Sequence, residues 1–478
     1  MGDVQDRSRI YVDGSWRASA ASELIDVVNP ATEQVIARVS AGDPADVDAA
    51  VAAARAAQPG WAALSGAERG DWLGRIAKEL EAAFGDLTQT AVADIGTPVD
   101  VAGPVQVGVP LFNFGNFAEI ARSLDTTQQV GPSMVVEEPV GVVGCITPWN
   151  FPLFQISLKA GAALAAGCTV VLKPSEVAPL LAHRLADVID RVGLPAGVFN
   201  LVSGGAAVGA SLAGHPGLDM VSFTGSTATG RKVAAAAAEN TTRVALELGG
   251  KSATIVLDDA DLQAAVADAM GKCFLNSGQI CIAQSRLLVP ASRLAEVESL
   301  IPSIVPAFAP GDPTQPGVVL GPLVSAVQRE KVLEHVNRAV VDGARVLAGS
   351  TEAPDRVGYY VTPTVLGDVS PDSAITQQEV FGPVLVVLPY GGEAEAVAIA
   401  NNSDYGLSGG VWSADVDRAV DVARRIRTGM VNINSGSYNP AAPYGGYKKS
   451  GYGREGGVEG VKEFLQTKTI NLPAPADG

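Results

Sequence analysis

Alternation of strand and helix patterns from residue 142 onward constrains the fold most. Apolar, β-branched runs predict strands at residues 142–147, 169–173, 198–202 and 221–224. Between them, helical periodicity predicts helices at residues 153–166 and 178–191 and from residue 228. In such βαβα sequences the strands pair in parallel and the helices cover both faces of the sheet. We therefore predict an α/β fold built on a parallel sheet.

A second unit is predicted to begin near residue 251. Residues 253–257 read as a strand, and the acidic run 258–261 caps a helix that extends to about residue 274. Further alternation continues to about residue 432 and leads into a loop rich in Gly, Pro and Tyr. This pattern predicts a second layered α/β unit after the first.

The segment before residue 142 contributes other elements. An Asp13-Gly14 turn between alternating apolar residues predicts a hairpin. Helices are expected at residues 45–57 and 67–84, with Asp46 and Ser65 as their N-caps.

Two segments belong to neither unit. Residues 129–138 and 467–472 each predict a strand. Exposed strand edges usually need a partner, so we expect these strands to take part in subunit pairing.

Composition excludes several classes of protein. A net charge of −17 argues against nucleic acid or an acidic membrane as the main partner. With 47% hydrophobic and 18% charged residues, extensive disorder is excluded. The apolar run at residues 160–172 is shorter than the roughly 20 residues that a membrane span needs. No leader pattern opens the sequence, so a soluble, cytoplasmic protein is expected.

Cysteine and histidine usage limits the chemistry. Four cysteines without a CxxC pair predict neither a disulfide framework nor a zinc site. The three histidines lie in no motif, which argues against a Ser-His-Asp triad and against a metal held by histidines. We expect free thiols in a reducing compartment and no metal.

The segment from Val221 to Gly230 is a candidate phosphate-binding turn. A strand enters Gly225-Ser226-Thr227 and a helix then opens, which presents free N–H groups and a positive dipole end. The glycine spacing is GxxxxG and not the dinucleotide fingerprint GxGxxG, so an ordinary tight βα turn explains it at least as well.

The end of the strand at residues 169–173 is a second candidate. It runs into Lys173-Pro174-Ser175-Glu176, and parallel strands deliver functional groups at their carboxyl ends. Lys173 and Glu176 could hold ribose hydroxyls, and the Glu176 carboxylate would repel a 2′-phosphate. A surface ion pair after a proline break accounts for these residues equally well.

Glu247 is an acidic residue among apolar neighbours, followed by two glycines. Desolvation there would raise the pKa of its carboxyl toward neutrality, as a general base requires. The alternative is a core glutamate bound by backbone amides.

Cys281 follows a stretch of Gly and polar residues that is typical of a loop. Its flanking isoleucines would raise the thiol pKa unless a cation came near. For Cys145, Cys168 and Cys273 we expect inert buried thiols.

Taken together, these motifs resemble the hydrolytic, NAD(P)-dependent branch of the aldehyde dehydrogenase superfamily over nearly the whole chain. The segments that carry the resemblance occur in the family's order: Pro148-Trp149-Asn150-Phe151-Pro152, Lys173-Pro174-Ser175-Glu176, Phe223-Thr224-Gly225-Ser226-Thr227, Glu247-Leu248-Gly249-Gly250-Lys251, Gly278-Gln279-Ile280-Cys281, Glu379-Val380-Phe381-Gly382-Pro383 and the loop Pro443-Tyr444-Gly445-Gly446-Tyr447-Lys448-Lys449-Ser450-Gly451.

The resemblance implies a role for each site residue. Cys281 would attack the aldehyde carbon, Asn150 and the Cys281 N–H would stabilise the oxyanion, and Glu247 would activate the water that hydrolyses the thioester. The residues expected to bind NAD, with NADP as the less favoured cofactor, are Ile146, Thr147, Pro148, Trp149, Lys173, Ser175, Glu176, Gly209, Phe223, Gly225, Ser226, Gly230, Leu248, Gly249, Glu379 and Phe381. The residues expected to line the substrate pocket are Phe151, Gln155, Ile280, Ile282, Tyr438 and Tyr444.

The resemblance also implies the architecture. We expect a Rossmann-like NAD-binding domain at residues 1–118 and 140–250 and an α/β catalytic domain at residues 251–450. A small β segment for oligomerisation is expected at residues 119–139 and 451–478. A homodimer or a homotetramer would follow.

Three alternatives stay open. A CoA-acylating aldehyde dehydrogenase would cleave the thioester with a thiol, but relatives of that kind often lack the general base. A cysteine hydrolase with a vestigial nucleotide fold would not need Lys173, Glu176 and Glu379. A non-catalytic NAD-binding scaffold would be expected to lose Cys281, Glu247 or Asn150.

Overall fold

The first of two large sheets carries the predicted βαβα segment. A computed structural model describes residues 4–473, and within them eight strands form this sheet. In spatial order the strands are Gly451–Tyr452, Arg243–Glu247, Met220–Thr224, Val142–Ile146, Thr169–Lys173, Phe199–Leu201, Arg9–Val12 and Ser15–Ala18. The five central strands are parallel, as predicted, and are almost wholly buried because helices cover both faces.

The order of these strands places a switch point in the middle of the sheet. From Val142–Ile146 the chain adds strands on one side, and Met220–Thr224 then adds to the other side. In open α/β sheets, ligands bind in the crevice beyond the carboxyl ends of strands at such a point. The segments after Ile146 and Phe223, whose Cα atoms are register partners, therefore meet at this crevice.

The second large sheet is also mostly parallel, and it also grows on both sides of its first strand. In the described part of the chain it has seven strands, in the order Arg345–Ala348, Thr364–Gly367, Val384–Tyr390, Arg286–Pro290, Ala253–Val256, Gly409–Trp412 and Asn432–Ile433. All neighbours are parallel except the first pair. Ala253–Val256 opens the sheet, and strands are added first to one side and later to the other, so this sheet also has a switch point.

Helices pack on both large sheets. The α-helices are Pro44–Ala62, Gly66–Ala82, Phe84–Ile95, Val99–Val101, Val109–Ser123, Pro152–Ile156, Ala162–Ala166, Leu180–Val192, Ala206–Ala213, Thr227–Ala238, Leu262–Phe274, Leu294–Ile304, Ala326–Val341, Ala374–Gln377, Glu393–Asn401, Val416–Arg425 and Gly457–Lys462. Ala102–Gly108 and Ser157–Gly161 are π-helical, and Leu275–Gly278, Ala291–Arg293 and Val305–Phe308 are 3₁₀-helical.

One of the two predicted N-caps differs from the structure. Ser65 is the N-cap of its helix, as predicted. Asp46 is not the N-cap of the first helix, because Pro44 starts that helix earlier and Asp43 takes the cap position. Asp46 instead completes a capping box by accepting a hydrogen bond from the backbone N–H of Asp43.

A separate small antiparallel sheet holds the two segments that belong to neither unit. Within residues 4–473 it contains Leu465–Asn471, Ser133–Pro139 and Thr127–Val130, in that order. The prediction of one strand at residues 129–138 was wrong: Gly131 turns the chain at φ 56°, so the segment is a hairpin.

The remaining strands form two minor sheets. Gln5–Arg7 and Leu24–Asn29 flank Gln34–Ser40, and Tyr405–Gly406 pairs with Tyr447–Lys448. The Asp13-Gly14 hairpin forms as predicted, with both residues at positive φ. No helix between residues 4 and 473 has the length and apolar character needed to cross a membrane.

Candidate active site

The loop that carries Cys281 begins with three consecutive left-handed residues. Asn276, Ser277 and Gly278 have φ angles of 51°, 58° and 74°, a conformation that side chains with a Cβ rarely adopt. No residue with a side chain fits at position 278, because a Cβ there would lie 2.2 Å from the carbonyl group of Gly382. The loop is therefore a strained, tightly packed turn that ends the helix Leu262–Phe274 and sets the position of Cys281.

Cys281 is half-buried, unlike the other three cysteines, and its thiol contacts a tyrosine hydroxyl. Its Sγ is 3.0 Å from the hydroxyl oxygen of Tyr444. Burial raises the pKa of the Cys281 thiol to about 12, while the Tyr444 hydrogen bond lowers it and the carboxylates of Glu379 and Glu247 raise it further. This direction agrees with the sequence-based expectation of a raised thiol pKa.

Asn150 lies beside this loop in a buried polar network. Its side-chain Nδ2 donates to the carbonyl oxygen of Gln279 at 2.9 Å. Its own backbone carbonyl accepts from Gln106 Nε2 at 2.9 Å and from Asn276 Nδ2 at 3.0 Å. These bonds connect the Asn150 segment to the Cys281 loop, although the two are far apart in the sequence.

Glu247 ends the strand Arg243–Glu247, with its side chain buried. Neither carboxylate oxygen has a hydrogen-bond partner among the described residues. Burial raises its pKa well above the ordinary value, and the nearby Glu455 raises it further, whereas Lys159 and Arg454 lower it. The expected desolvated carboxyl is confirmed, and the alternative of a glutamate tied to backbone amides is not what the structure has.

Sequence reasoning missed a buried ion pair beside Glu247. Lys159 contacts Glu455 and also donates to Thr224 Oγ1 at 2.6 Å, and this threonine donates to Gln155 Oε1 at 3.1 Å. Lys159 interrupts an otherwise apolar helical run, which was a usable signal because a buried lysine needs a partner. Its partner Glu455 could not be identified from spacing.

A cleft of about 210 Å³ lies between the carboxyl ends of strands in the first large sheet and the loops that precede strands of the second. It brings together ten of the predicted site residues, Pro148, Trp149, Asn150, Gly225, Ser226, Leu248, Gly249, Cys281, Glu379 and Phe381. Three further lining residues, Thr224, Gln328 and Lys331, were not predicted. Phe381 adopts φ 58° and packs edge-on against Trp149, with ring centroids 5.4 Å apart.

Glu379 is held at the floor of this cleft. Its Oε1 accepts from the backbone N–H of Gly250 at 3.0 Å. A Cβ on Gly249 would lie 2.2 Å from its Oε2, so glycine is required there for the carboxylate to lie so close. Burial raises the pKa of Glu379 to about 7, while Gly250, Lys331 and Lys251 lower it.

The other predicted cofactor residues lie outside the lining of this cleft. Lys173 and Glu176 form an ion pair of 3.0 Å. Ser175 Oγ accepts from the backbone of Val177 at 3.2 Å, and Gly209 packs near the Lys173 side chain. This group lies at the end of the neighbouring strand Thr169–Lys173.

Four more of the predicted cofactor residues lie in or next to the strands and the helix that border the crevice. Ile146 and Phe223 are partners in adjacent strands. Thr147 donates its backbone N–H to Lys173 at 3.1 Å. Gly230 packs against Leu248 inside the helix Thr227–Ala238, whose N-cap is Ser226.

Aromatic rings extend in a row from Cys281. Tyr444 packs edge-on against Tyr438, with centroids 5.9 Å apart, and Tyr438 packs against Phe154 at 5.8 Å. Phe151 continues the row at 6.3 Å from Phe154. The Tyr438 hydroxyl is buried and lacks a hydrogen-bond partner within residues 4–473.

The remaining residues predicted for the substrate pocket differ in placement. Ile280 and Ile282, on either side of Cys281, are both half-buried. Gln155 is buried and occupied by the hydrogen bond from Thr224. Phe154 was not among the predicted pocket residues, although it stands next to Gln155 in the sequence.

Comparison with known proteins gives consistent results. Residues 16–470 match the model of the aldehyde dehydrogenase family. The 3-succinoylsemialdehyde-pyridine dehydrogenase of a Pseudomonas species is 46% identical over 98% of this chain and 99% of its own length.

Solved structures are similar throughout. A cysteine-to-alanine mutant of aldehyde dehydrogenase C from Pseudomonas syringae, in complex with NAD⁺ and octanal, has a TM-score of 0.97, 43% identity and 98% coverage of both chains. A Mycobacterium tuberculosis aldehyde dehydrogenase in complex with NAD⁺ has a TM-score of 0.97 and 40% identity, with complete coverage of both chains.

Proposed function

Since the chain belongs to the aldehyde dehydrogenase family, we propose that Cys281, Asn150 and Glu247 carry out its oxidation of an aldehyde to the carboxylic acid. The observation that supports these roles most is the convergence of three separate segments on the cleft. The Cys281 loop, the Asn150 segment and the end of strand Arg243–Glu247 meet where the carboxyl ends of the first sheet face the loops that precede strands of the second.

The cofactor is NAD⁺, which accepts hydride at its nicotinamide ring when bound. The residues of the cleft fit such a group: Leu248, Trp149 and Phe381 offer apolar walls for a flat ring, and Glu379 offers a carboxylate for ribose hydroxyls. Lys173 and Glu176 would hold the second ribose. The carboxylate of Glu176 disfavours a 2′-phosphate, so we propose NAD over NADP.

Cys281 acts as the nucleophile. Its thiolate adds to the aldehyde carbon and forms a C–S bond, and the carbonyl oxygen becomes an oxyanion. The Asn150 amide and the Cys281 backbone N–H donate to that oxyanion. Because Asn150 Nδ2 already bonds to Gln279 O, one of its two N–H groups is fixed and the other is free to serve this role.

Glu247 acts as the general base of the second half-reaction. A desolvated carboxylate near the thioester takes a proton from water, and the resulting hydroxide attacks the acyl carbon and releases the acid and the thiolate. A raised pKa makes Glu247 a stronger base once it has lost its own proton, and Lys159 favours that deprotonated form.

The substrate pocket is proposed to take a neutral aldehyde with an apolar or aromatic body. The aromatic row from Tyr444 to Phe151, together with Ile280 and Ile282, supplies apolar walls and no charged side chain. One similar structure is in complex with octanal and one relative is named a 3-succinoylsemialdehyde-pyridine dehydrogenase, and both compounds fit this description. A similar Staphylococcus aureus enzyme is named for betaine aldehyde, so betaine aldehyde is included in the substrate panel as the comparison.

Domain roles, assembly and location complete the proposal. We assign residues 4–118 and 140–250 to cofactor binding, 251–450 to catalysis, and 119–139 and 451–473 to subunit pairing; the predicted limits at residues 1–3 and 474–478 lie outside the described residues. A homodimer or homotetramer is expected, and sedimentation equilibrium would contradict it by giving the mass of one chain. The free thiols suit the cytoplasm, and fractionation of cells should recover the enzyme there.

The decisive experiment follows NADH formation with octanal, aromatic aldehydes and, for comparison, betaine aldehyde for wild type, Cys281→Ala and Glu247→Gln. Wild type should turn over, and Cys281→Ala should lose all NADH formation. Glu247→Gln should give a burst of one NADH per site and then stall, because the thioester forms but is not hydrolysed.

Two results would contradict the proposal. Turnover by Cys281→Ala would show that Cys281 is not the nucleophile. Faster NADH formation when CoA is added would indicate the CoA-acylating alternative, in which a thiol replaces water. Repeating the assay with NADP tests the role of Glu176.

A further inference from the structure

Tyr444 holds an unusually fixed position for a loop residue. Its backbone N–H donates to the carbonyl of Glu455 at 2.7 Å, and the N–H of Glu455 donates back to Tyr444 at 2.7 Å. Its ring packs edge-on against Tyr438, and only 4% of the residue is exposed. The backbone and the ring of Tyr444 are therefore both fixed, and together they set the position of the hydroxyl.

We propose that Tyr444 is a positioning residue whose hydroxyl, 3.0 Å from Cys281 Sγ, donates a hydrogen bond to the thiolate and keeps it directed at the aldehyde. This inference rests on the proposed role of Cys281 as the nucleophile. It assigns to Tyr444 a function beyond that of a pocket wall.

The direction of the hydrogen bond follows from the surroundings. Burial raises the pKa of Tyr444 well above its ordinary value, and the nearby Cys281, Glu247 and Glu455 raise it further, so the phenol keeps its proton. When Cys281 is ionised, the phenol is a donor and the sulfur is the acceptor.

The other ionisable groups around the sulfur oppose the thiolate. Glu379, from the segment that precedes strand Val384–Tyr390, and Glu247, from the first sheet, each raise the thiol pKa. Tyr438, which precedes the loop at residues 443–451, also lies near Cys281, but it makes no hydrogen bond to it among the described residues. The Tyr444 hydroxyl and the backbone N–H of Cys281 itself are the groups that lower the thiol pKa.

Alkylation of the resting enzyme tests this inference without aldehyde or cofactor. The rate of iodoacetamide addition to Cys281 is followed across pH by mass spectrometry of the peptide. Tyr444→Phe keeps the ring and removes the hydroxyl, and Tyr438→Phe is the matched control because its neighbouring hydroxyl does not bond to the sulfur. The buried Cys145, Cys168 and Cys273 serve as internal references, and melting curves verify that both variants are folded.

The expected result is specific to one variant. Losing a hydrogen bond to a charged group should slow alkylation of Tyr444→Phe about tenfold at neutral pH and move its rate profile upward by roughly one pH unit. Tyr438→Phe should retain the wild-type profile. An unchanged profile in Tyr444→Phe, or an equal shift in Tyr438→Phe, would overturn the inference while leaving the role of Cys281 to the turnover assay.

Discussion

Single glycines at the cleft act through the space they leave. Gly249 lets the carboxylate of Glu379 approach its Cα, because a Cβ would meet Oε2 at 2.2 Å and Oε1 at 2.9 Å. At Gly278 the requirement is also conformational, since φ is 74° and a Cβ would meet the backbone of Gly382. Gly249 and Gly278 thus each have a steric cause that can be tested separately.

Gly249→Ala should weaken cofactor binding. The added methyl displaces Glu379, whose bond to the Gly250 N–H and contact with the ribose should both be lost. A lost hydrogen bond to a charged group is worth about 1.5–3 kcal/mol, so the KM for NAD should rise at least roughly tenfold. The KM for aldehyde should change less. Steady-state kinetics with each substrate varied in turn measures both.

Gly271→Ala is the matched control. Gly271 lies in the helix Leu262–Phe274, and a Cβ there would have no atom within 4 Å. It should leave the kinetics unchanged and raise the free energy of unfolding by about 0.5–1 kcal/mol. If both variants bind NAD like wild type, the steric account of Gly249 is wrong.

At the scale of elements, the helical segment from Pro152 to Ala166 contributes a charge to the site. Its central turn, Ser157–Gly161, is π-helical, and Lys159 projects from this turn to Glu455. A π-bulge often marks a functional site because it re-aims side chains within a helix. Here the π-helical turn contains Lys159, which forms the ion pair with Glu455 beside Glu247.

Glu455→Gln should shift the pH dependence of thioester hydrolysis. Removing the negative charge of Glu455 lowers the pKa of Glu247, and the remaining positive charge of Lys159 acts in the same direction. Since Glu247 works deprotonated, the rise of the hydrolysis rate with pH should begin at lower pH. Single-turnover measurement of acid release across pH tests this.

Glu463→Gln is the comparison for this variant. Glu463 also raises the pKa of Glu247, but it is a weaker influence than Glu455. The pH at which the hydrolysis rate of Glu463→Gln begins to rise should therefore move less.

Glu455→Gln should also lose about 3–5 kcal/mol of stability because Lys159 is left buried and unpaired. A profile identical to wild type in Glu455→Gln would contradict the coupling.

At the scale of the whole molecule, buried ionisable groups outside the site set the pH dependence of stability. Asp94 is fully buried, and its Oδ2 accepts from the backbone N–H of Leu180 at 2.9 Å. Burial raises its pKa to about 8 from an ordinary value of 3.8, although the N–H groups of Leu180 and Leu181 lower it. The folded protein therefore keeps this carboxyl protonated at neutral pH.

Asp94→Asn should reveal this linkage. Between pH 3.8 and about 8 the folded state holds a proton that the unfolded state has lost, so rising pH destabilises the wild type. Its free energy of unfolding should fall by about 1.36 kcal/mol per pH unit relative to the asparagine variant. Denaturant unfolding at several pH values measures the difference, and parallel curves for the two proteins would contradict the assignment.

Sequence patterns predicted the central strands of the first sheet and the helices around them, and the family resemblance identified ten residues of the cleft. These features depend on periodicity and on short motifs, which are legible within a few residues. The cap at Asp43 was missed because Pro44 moved the start of the helix, and the turn at Gly131 was read as continuous strand. Both errors lie at element boundaries, where neighbouring residues compete for the same role.

By itself, the sequence determined the alternation of strands and helices and the loop that presents Cys281, because these follow from local period and turn chemistry. Only the tertiary structure decided that Glu455 pairs with Lys159 beside Glu247 and that the Tyr444 hydroxyl meets the Cys281 sulfur. Those partners lie on segments far apart in the chain. Their contact depends on the order of strands in the sheets and on how the loop at residues 443–451 packs over them, and no spacing within a segment encodes either.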